Sequence, residues 1–576
     1  MCVSIQIRPI ASYITRQPQP FPDAMPMPRS KTPRSAPSRT QPPRLASQGL
    51  DAMEGWMASH GWSPWPFQRE AWNRYRAGES GLIQVATGAG KTYAAFLGPL
   101  SELIDQPEER GGLRVLYVTP LRAVTRDIAK AMSRPIRDLD LDISIQERTG
   151  DTPASLRAKQ RLKLPEVLVT TPESLSLLLT RPDAASLFAK LRCLILDEWH
   201  ELLVSKRGTQ TELAAARLRA FAPSMATWAL SATLPNASEA ARCAVGCTAP
   251  TPAIVTGEMS RRVRLRSVLP AEPSTLPWVG HLGLTMLPDV VRVLDPAVPT
   301  LVFTNTRSQS ERWYSAILVA RPEWEPLMAI HHGSIDREER ERVEAGLKDG
   351  SIRIVVATSS LDLGVDFSPL ERVIQIGSPK GIARLMQRAG RASHRPNADA
   401  EVLCVPTFAL ELFEIAAARN AIERGELEPR IAIEKPLDVL AQHLVTCAMG
   451  GGFEEAAMLR EVRSAQSFCT LSDDEFRWTL DLVARGGSTL TAYPDFHRIE
   501  LVDGRWKQTK PRIATLHRLN VGTITADTTL AIRYVHGRSL GRIEENFISG
   551  LRPGEKFVYA GKVLQFEFLR DLTAYV

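Results

Sequence analysis

The sequence lacks two features that define large classes of protein. No apolar run among its 576 residues approaches the ~18 residues of a membrane-spanning helix, so nothing indicates a membrane protein. Only seven cysteines are present, and they are scattered, with Cys243 and Cys247 as the one close pair. We therefore expect neither disulfides nor a zinc or iron-sulfur site, and isolated reduced thiols indicate a cytoplasmic protein.

Little net charge remains once the first 50 residues are set aside. They hold seven basic side chains, one acid and ten prolines, a composition that buries too little apolar surface to fold. We expect a disordered tail over residues 1–50: a flexible extension, a transit peptide, or sequence before a true start at Met53. The rest carries 64 basic and 63 acidic residues, so any nucleic-acid contact must come from local patches.

Apolar runs typical of buried strands alternate with helical stretches in two successive series, one within residues 51–265 and one within 266–410. Continuous apolar strands between helices predict parallel sheets covered on both faces, so we expect two doubly wound α/β lobes in tandem. The runs lie at 82–85, 113–118, 167–169, 191–196 and 227–230, then at 301–303, 327–330, 352–356, 373–376 and 402–405.

The pattern changes to helices after residue 410. Helices are predicted at 436–449, 454–464 and 473–484, the last opened by a capping box of Ser472 and Glu475 and followed by a polar hairpin near 493–508. This order predicts a winged-helix module over 411–515. Short strands with glycine turns over 516–576 predict part of a small β domain.

A phosphate-binding loop is predicted at residues 86–92, which read ATGAGKT. The loop follows a strand and opens a helix, where backbone N–H groups and the helix N-terminus can face an anion. Lys91 is placed to hold the β- and γ-phosphates, and Thr92 a magnesium ion. Val85 stands where such loops usually begin with glycine, and a glycine-rich turn is the alternative interpretation.

Two acids and a distant basic helix complete this site. Asp197 and Glu198 end an apolar strand in LILDEWH, where Asp197 would organise magnesium through water and Glu198 would orient the attacking water. In the second lobe, QRAGR at 387–391, which includes Gln387 and Arg391, is predicted to begin a helix whose charges fit a triphosphate across a cleft. An arginine from another domain would neutralise the transition state.

In order and spacing these motifs resemble superfamily 2 helicases of the DExH type, whose lobes are RecA-like. The further shared segments are Gln68 before the loop, TPLRAV at 119–124, RTGD at 148–151, TTPES at 170–174, SAT at 231–233, FTNTR at 303–307, HHGS at 331–334 and TSSLDLGVDF at 358–367. The runs DEWHELL, SKRGTQTELAAARLR, KPLDVLAQHLV and GRSLGRIEENFISGLRPGEKF resemble the large-helicase-related family, and its ligase-associated branch in particular.

The resemblance implies an ATP- and Mg²⁺-dependent enzyme that moves 3′ to 5′ on single-stranded DNA, unwinds duplexes including RNA:DNA hybrids, and serves DNA repair. A DNA ligase and a repair nuclease are the implied partners. Family members continue past the β domain, which indicates a truncated protein or a fragment. An RNA helicase, and a nucleic-acid clamp with weak ATPase, are the alternatives.

The resemblance also implies roles for single residues. Gln68 would read adenine. His394 stands where the superfamily pattern QxxGRxxR ends in arginine; a histidine there is usual in the large-helicase-related family and would donate to the γ-phosphate. The ATP-binding positions are Gln68, Thr87, Gly88, Ala89, Gly90, Lys91 and Thr92. The positions that line the phosphate path of one strand are Pro120, Arg122, Thr170, Thr171, Thr304, Arg307, Gly333 and Thr358.

Two further segments bear on nucleic-acid contact. Trp478 is a candidate to stack on a base or to wedge a duplex, although packing in the core is the expected outcome for an aromatic residue at helical spacing. Residues 261–266, RRVRLR, alternate like an exposed strand, and we expect them to form a solvated face.

Overall fold

The computed structural model describes residues 47–86, 88–109, 111–257, 263–272, 276–278, 282–362, 370–392, 400–487, 493, 496–522, 529–570 and 573–576, all within one unit, Pro42–Val576. The predicted tail therefore lies largely outside the described residues. Its predicted end at residue 50 is wrong, because helix α1, Gln48–Ser59, begins earlier and is capped by the Ser47 side chain.

The first lobe is built on a seven-stranded parallel sheet in the order β3-β4-β2-β5-β6-β1-β7. The strands are β1 Gly81–Gln84, β2 Val115–Val118, β3 Ile145–Arg148, β4 Val167–Thr170, β5 Cys193–Leu196, β6 Ala226–Ser231 and β7 Ala253–Thr256. The two edge strands, β3 and β7, were not among the predicted runs, because an edge strand is not buried throughout and lacks a continuous apolar signal.

Helices cover both faces of this sheet. They are α2 Pro66–Arg76, α3 Lys91–Asp105, α4 Arg122–Asp138, α5 Ala154–Leu162, α6 Pro172–Leu179, α7 Ala184–Phe188, α8 Trp199–Leu203, α9 Lys206–Phe221 and α10 Ala237–Val245. Neighbouring residues of one strand enter opposite cores: Val115 and Tyr117 pack on one face, and Leu116 on the other. A sheet buried on both sides explains the continuous apolar runs.

The second lobe repeats this architecture with a six-stranded parallel sheet in the order β10-β11-β9-β12-β13-β8. Its elements are β8 Val263–Ser267, α11 Leu287–Val293, β9 Thr300–Phe303, α12 Arg307–Ala320, β10 Met328–His331, α13 Arg337–Asp349, β11 Ile354–Ala357, β12 Arg372–Ile376, α14 Ile382–Ala389, β13 Ala400–Val405 and α15 Glu411–Arg424. Two RecA-like parallel-sheet lobes are thus confirmed.

Both predicted limits of the second lobe differ from the observed elements. Strand β8 pairs with β13, so the second sheet begins before residue 266 and includes part of RRVRLR as its edge strand. Helix α15 packs Ile415 and Ala418 into the second-lobe core, so this lobe also continues past residue 410. Tertiary packing sets both limits, and neither segment carries a sequence signal that assigns it to one lobe.

The winged-helix module and the β module follow. The first contains α16 Leu437–Met449, α17 Glu455–Arg463, α18 Asp473–Arg485, β14 Glu500–Val502, β15 Arg505–Lys507 and α19 Pro511–Leu519. The second contains β16 Thr529–Arg533, β17 Ser539–Glu544, α20 Glu545–Ser549, β18 Lys556–Tyr559, β19 Lys562–Gln565, β20 Phe568–Arg570 and β21 Thr573–Tyr575. The capping box of Ser472 and Glu475 opens α18 as predicted.

Each module packs on a different lobe. The winged-helix core includes Leu213 and Ala216 of first-lobe helix α9, and Ser467 donates two hydrogen bonds to the buried Glu212 carboxylate of the same helix. The β module pairs with the second lobe through a bridge between Ile335 and Gly541. In the described part of the chain, no helix combines the length and apolar character needed to cross a membrane.

Candidate nucleotide site and nucleic-acid cleft

The phosphate-binding loop lies where the sequence predicts it, between β1 and α3. Lys91 is the first residue of α3, so its side chain and the helix N-terminus face the same space. Gly88 and Gly90 have φ values of +81° and +82°, which glycine adopts without strain. Thr87 lies outside the described residues.

Gln68 supports this loop from helix α2. Its Nε2 donates to the carbonyl of Gly90 at 3.1 Å, and its Oε1 accepts the N–H of Trp65 at 2.9 Å. An amide has a second proton and a second lone pair, so these bonds leave capacity toward a base. Gln68 is not among the residues that line the cavity described next.

A cavity of about 380 Å³ opens between the two lobes at this loop. The first lobe contributes the loop, Asp197 and Glu198, and the second lobe contributes Lys348 and Arg391. Of the predicted ATP and metal residues, Gly88, Gly90, Lys91, Thr92 and Asp197 line it. Ala89 is buried beside the loop and is not part of the lining.

The charges at the base of this cavity are buried and incompletely satisfied. Lys91 Nζ lies 4.0 Å from Glu198 Oε2, and among the described residues neither atom has a hydrogen-bond partner. Glu198 adopts φ +47° and ψ +43°, a left-handed conformation that is strained for a residue with a side chain. Buried charged groups that lack hydrogen bonds, beside a strained backbone, fit a site that a polar ligand completes.

The two acids differ in their ionisation. Burial and the adjacent Glu198 raise the pKa of Asp197 to about 7. Burial also opposes ionisation of Glu198, but Lys91, His200 and Arg391 outweigh it and lower the pKa of this carboxyl. Asp197 therefore gains most from a nearby cation, which fits a magnesium ion held by Thr92 and Asp197, while Glu198 stays ionised as an acceptor.

His200 connects the acids to the second lobe, a role that the sequence analysis did not assign. Burial lowers the pKa of His200 to about 4, so the ring is neutral near pH 7. Its Nδ1 accepts the N–H of Ala232 in the SAT segment at 3.3 Å, and its Nε2 lies 3.0 Å from the Gln387 side-chain amide. One imidazole thus connects the SAT segment of the first lobe to the QRAGR segment of the second lobe. In the sequence, the histidine that ends the DEWH motif was the feature that could have indicated this role.

The QRAGR segment ends helix α14, and the prediction that it begins a helix is wrong, because the helix starts five residues earlier, at Ile382. Its two arginines have different roles. Arg388 is buried and donates to Asp362 at 2.8 and 3.1 Å, so it holds the second lobe together. Arg391 lines the cavity while its guanidinium also bonds the carbonyl of Asp362 at 3.1 and 3.3 Å. His394 lies outside the described residues.

The connector after α15 spans from one lobe to the other. Glu428 accepts the N–H groups of Ile382 and Ala383 at the start of helix α14, which carries Gln387. Two residues later, the backbone N–H and carbonyl of Arg430 both pair with the Asn236 side chain of the first lobe. This connector therefore joins the start of helix α14 in the second lobe to Asn236, which precedes helix α10 of the first lobe.

A second interlobe cavity, of about 620 Å³, adjoins the first. We call the first the nucleotide cavity and the second the strand cleft. Asp127 and Lys348 line both cavities, and their side chains pair across the lobes at 3.6 Å. Five predicted strand-path residues line the second cavity, namely Pro120, Arg122, Arg307, Gly333 and Thr358. Arg126, Arg337 and Arg340, which the prediction did not include, also line it.

The remaining three path residues turn their hydroxyls into the protein. Thr170 Oγ1 donates to the carbonyl of Arg148 at 2.7 Å, Thr171 caps helix α6, and Thr304 Oγ1 donates to the carbonyls of Thr306 and Ala357. They are buried and are not part of the lining. Their side chains shape the strand ends beside the cavity.

Trp478 is on the surface, contrary to the expectation of core packing. Its side chain is 58% exposed, whereas Phe476, Leu480 and Val483 form the buried face of α18. The prediction from helical spacing was wrong about the environment of Trp478, because the residues of α18 that pack in the core are on another face of the helix. The six cysteines in the described part of the chain are free.

Three protein families match successive parts of the chain. Residues 65–241 match the DEAD/DEAH box helicase family, 285–396 the helicase conserved C-terminal domain, and 420–576 the winged helix domain of large helicase-related protein. The last match covers both the winged-helix and the β module. The three matches follow the order of the observed lobes and modules.

Full-length relatives and one solved structure agree with this assignment. The chain is 32% identical to ATP-dependent helicase Lhr-Core protein 2 of Thermococcus barophilus, over 89% of this chain and 61% of that protein. It is 32% identical to the Lhr helicase/probable uracil glycosylase of Mycolicibacterium smegmatis, over 78% of this chain and 34% of that protein.

Among the solved structures that match is Mycobacterium smegmatis helicase Lhr bound to ssDNA and AMP-PNP, with a TM-score of 0.72 and 31% identity, covering 83% of this chain and 63% of that one. The chain thus spans about three fifths of the archaeal relative and about a third of the mycobacterial one. It belongs to the large helicase-related (Lhr) family of superfamily 2 helicases.

Proposed function

We propose that this protein is an ATP-dependent helicase that moves 3′ to 5′ on single-stranded DNA and unwinds duplex DNA or RNA:DNA hybrids, in DNA repair. The observation that carries the proposal is one cavity in which Lys91, Asp197 and Glu198 of the first lobe face Arg391 of the second. A nucleotide there contacts both lobes, so its hydrolysis changes what holds them together.

The residues divide the work of phosphoryl transfer to water. Lys91 and the N-terminus of α3 neutralise the β- and γ-phosphates, and Arg391 adds positive charge from the opposite side as the transition state forms. Glu198, held ionised, orients the attacking water and accepts its proton. Magnesium, held by Thr92 and Asp197, would supply further neutralisation of the phosphate charge.

The adjoining cavity supplies the track. Arg122, Arg307 and backbone at Gly333 line it from both lobes, and such groups bind phosphates without reading sequence. Binding should therefore be salt-dependent and indifferent to sequence. The M. smegmatis neighbour is bound to ssDNA and AMP-PNP, which supports a DNA strand here. A cytoplasmic location and partnership with a ligase or nuclease stay predictions.

The test is ATP hydrolysis with and without single-stranded DNA or RNA of matched sequence. Lys91→Ala serves as the inactive variant, and Lys190→Ala, which changes an exposed lysine of the same lobe, as its matched control. Strong stimulation by DNA and unwinding of 3′-tailed duplexes alone is the expected result. Equal stimulation by RNA would favour an RNA or hybrid substrate, and binding without hydrolysis would favour a clamp.

A further inference from the structure

The HHGS loop, residues 331–334, stands between the strand cleft and the β module. It follows strand β10, and Gly333 lines the cleft. On the lobe side, the His331 carbonyl accepts the N–H of Thr358 at 3.2 Å, and His331 Nδ1 lies 2.8 Å from Ser360 Oγ. These bonds tie the start of the loop to another segment of the cleft.

Strand β17 of the β module fixes the other end of the loop. The N–H of Arg542 donates to the Ser334 carbonyl at 2.9 Å, and the N–H of Asp336 donates to the Leu540 carbonyl at 2.9 Å. Together with the bridge between Ile335 and Gly541, these contacts extend β17 onto the loop. The buried hydroxyl of Tyr559, on β18, also donates to the Ser334 carbonyl.

A buried carboxylate adds a third attachment. Glu311, on second-lobe helix α12, is 6% exposed. It lies 2.9 Å from His332 Nε2 and accepts the backbone N–H groups of Ala560 and Gly561, the latter at 2.7 Å. One side chain thus holds a loop residue and the β18–β19 turn.

Close approach explains the glycine at position 541. Its φ is +137°, and a Cβ there would lie 1.8 Å from the Ser334 carbonyl oxygen, so any side chain must push the loop away. This position lies within GRSLGRIEENFISGLRPGEKF, residues 537–557, a run whose described residues line neither the nucleotide cavity nor the strand cleft. The contact with the HHGS loop gives this run a role.

We infer that Gly541 and Tyr559 of the β module are positioning residues for nucleic-acid binding. They hold residues 331–334 in the shape that presents Gly333 to the strand, and so set the affinity for the strand without touching the nucleotide cavity. This inference rests on the proposed function. It assigns to the β module a part in the second-lobe portion of the track.

The first test is Tyr559→Phe in the full chain, which removes one hydroxyl from a site that keeps its ring. The DNA concentration that gives half-maximal ATPase stimulation should rise about three- to tenfold, the effect of one lost hydrogen bond. The rate at saturating DNA and the KM for ATP should stay as in the parent. Tyr575→Phe, a tyrosine on β21 of the same module, is the matched control.

Gly541→Ala and Gly554→Ala form a second pair. Both positions have φ between +90° and +137°, but a Cβ at Gly554 meets nothing within 4 Å. Only Gly541→Ala should weaken DNA binding, and hydrogen exchange should speed up over residues 331–336 without a change at the nucleotide loop.

The inference would be overturned if Tyr559→Phe and Gly541→Ala bind DNA with the affinity of the parent and show the hydrogen exchange of the parent over residues 331–336. A parent chain that hydrolyses ATP without any response to DNA or RNA would instead overturn the proposed function, so the two failures are distinguishable. Weaker binding that appears equally in Tyr575→Phe and Gly554→Ala would assign the effect to general loosening of the β module, against a positioning role.

Discussion

The two interlobe cavities adjoin, but their charged side chains differ in burial and in pairing. In the nucleotide cavity, Lys91, Asp197 and Glu198 are 7–8% exposed, and Lys91 Nζ and Glu198 Oε2 have no hydrogen-bond partner among the described residues. In the strand cleft, Arg126 and Glu341 are about half exposed and pair across the lobes at 3.3 Å.

This difference in burial suits one cavity to catalysis and the other to movement along a strand. A buried charged group that lacks hydrogen bonds costs free energy, which a charged or polar ligand can offset by supplying them. An exposed ion pair contributes about 0–1 kcal/mol, so a phosphate can replace one partner at little cost. The first cavity therefore suits tight, oriented binding and catalysis, and the second suits repeated binding and release along a strand.

The largest effect is expected at the buried acid. Glu198→Gln removes the charge that accepts a proton from water, so DNA-stimulated hydrolysis should fall by roughly 10²–10⁴-fold while the nucleotide still binds. Steady-state ATPase and equilibrium binding of a nucleotide analogue measure the two effects. Glu108→Gln, at an exposed acid of the same lobe, should match the parent, and parental turnover by Glu198→Gln would remove Glu198 from the mechanism.

A pH dependence should follow from Asp197. Its raised pKa, about 7, means that the carboxyl is protonated below that pH and must lose a proton to hold magnesium. The affinity for a magnesium-nucleotide complex should therefore fall up to about tenfold per pH unit below 7, and calorimetry in two buffers should show proton release on binding in that range. Asp197→Asn should bind weakly at every pH. A pH-independent affinity in the parent would contradict the assignment.

At the strand cleft we expect a change in the salt dependence of DNA binding, because the charged side chains there are solvated. Arg307→Ala should weaken binding of single-stranded DNA by about tenfold at low salt and reduce the slope of log affinity against log salt by about 0.7 to 1. Arg266→Ala, at an arginine on the solvated edge strand β8, should leave both unchanged. An unaltered slope in Arg307→Ala would exclude a phosphate contact there.

The smallest effect is expected at Trp478, outside both cavities. Since it is mostly exposed, Trp478→Ala should change the free energy of unfolding by no more than about 0.5 kcal/mol, whereas Phe476→Ala, two positions earlier and buried, should cost about 3 kcal/mol. Denaturant unfolding measures both. Loss of DNA affinity in a fully stable Trp478→Ala would establish a base contact.

Prediction from sequence succeeded where the signal is local. Continuous apolar strands, the loop before Lys91, and the acids after β5 each depend on residues adjacent in the chain. The capping box at Ser472 is equally local. In each case a short segment determines both its own conformation and the direction its side chains face.

It failed where distant segments meet. The edge strand β8 belongs to the second lobe only because it pairs with β13, and the bridge through His200 requires Gln387, 187 positions away. Trp478 is mostly exposed because, among the described residues, the core contacts of α18 come from Phe476, Leu480 and Val483 on another face of the helix. The attachment of the HHGS loop to the β module likewise joins residues more than 200 positions apart.

The most direct test of the central claim, that both lobes form one catalytic site, is Arg391→Ala. Because Arg391 reaches the cavity from the second lobe, the variant should bind a fluorescent ATP analogue within a few-fold of the parent. Its DNA-stimulated hydrolysis should fall by about 10³-fold. Parental stimulated hydrolysis in Arg391→Ala would contradict a site completed across the cleft.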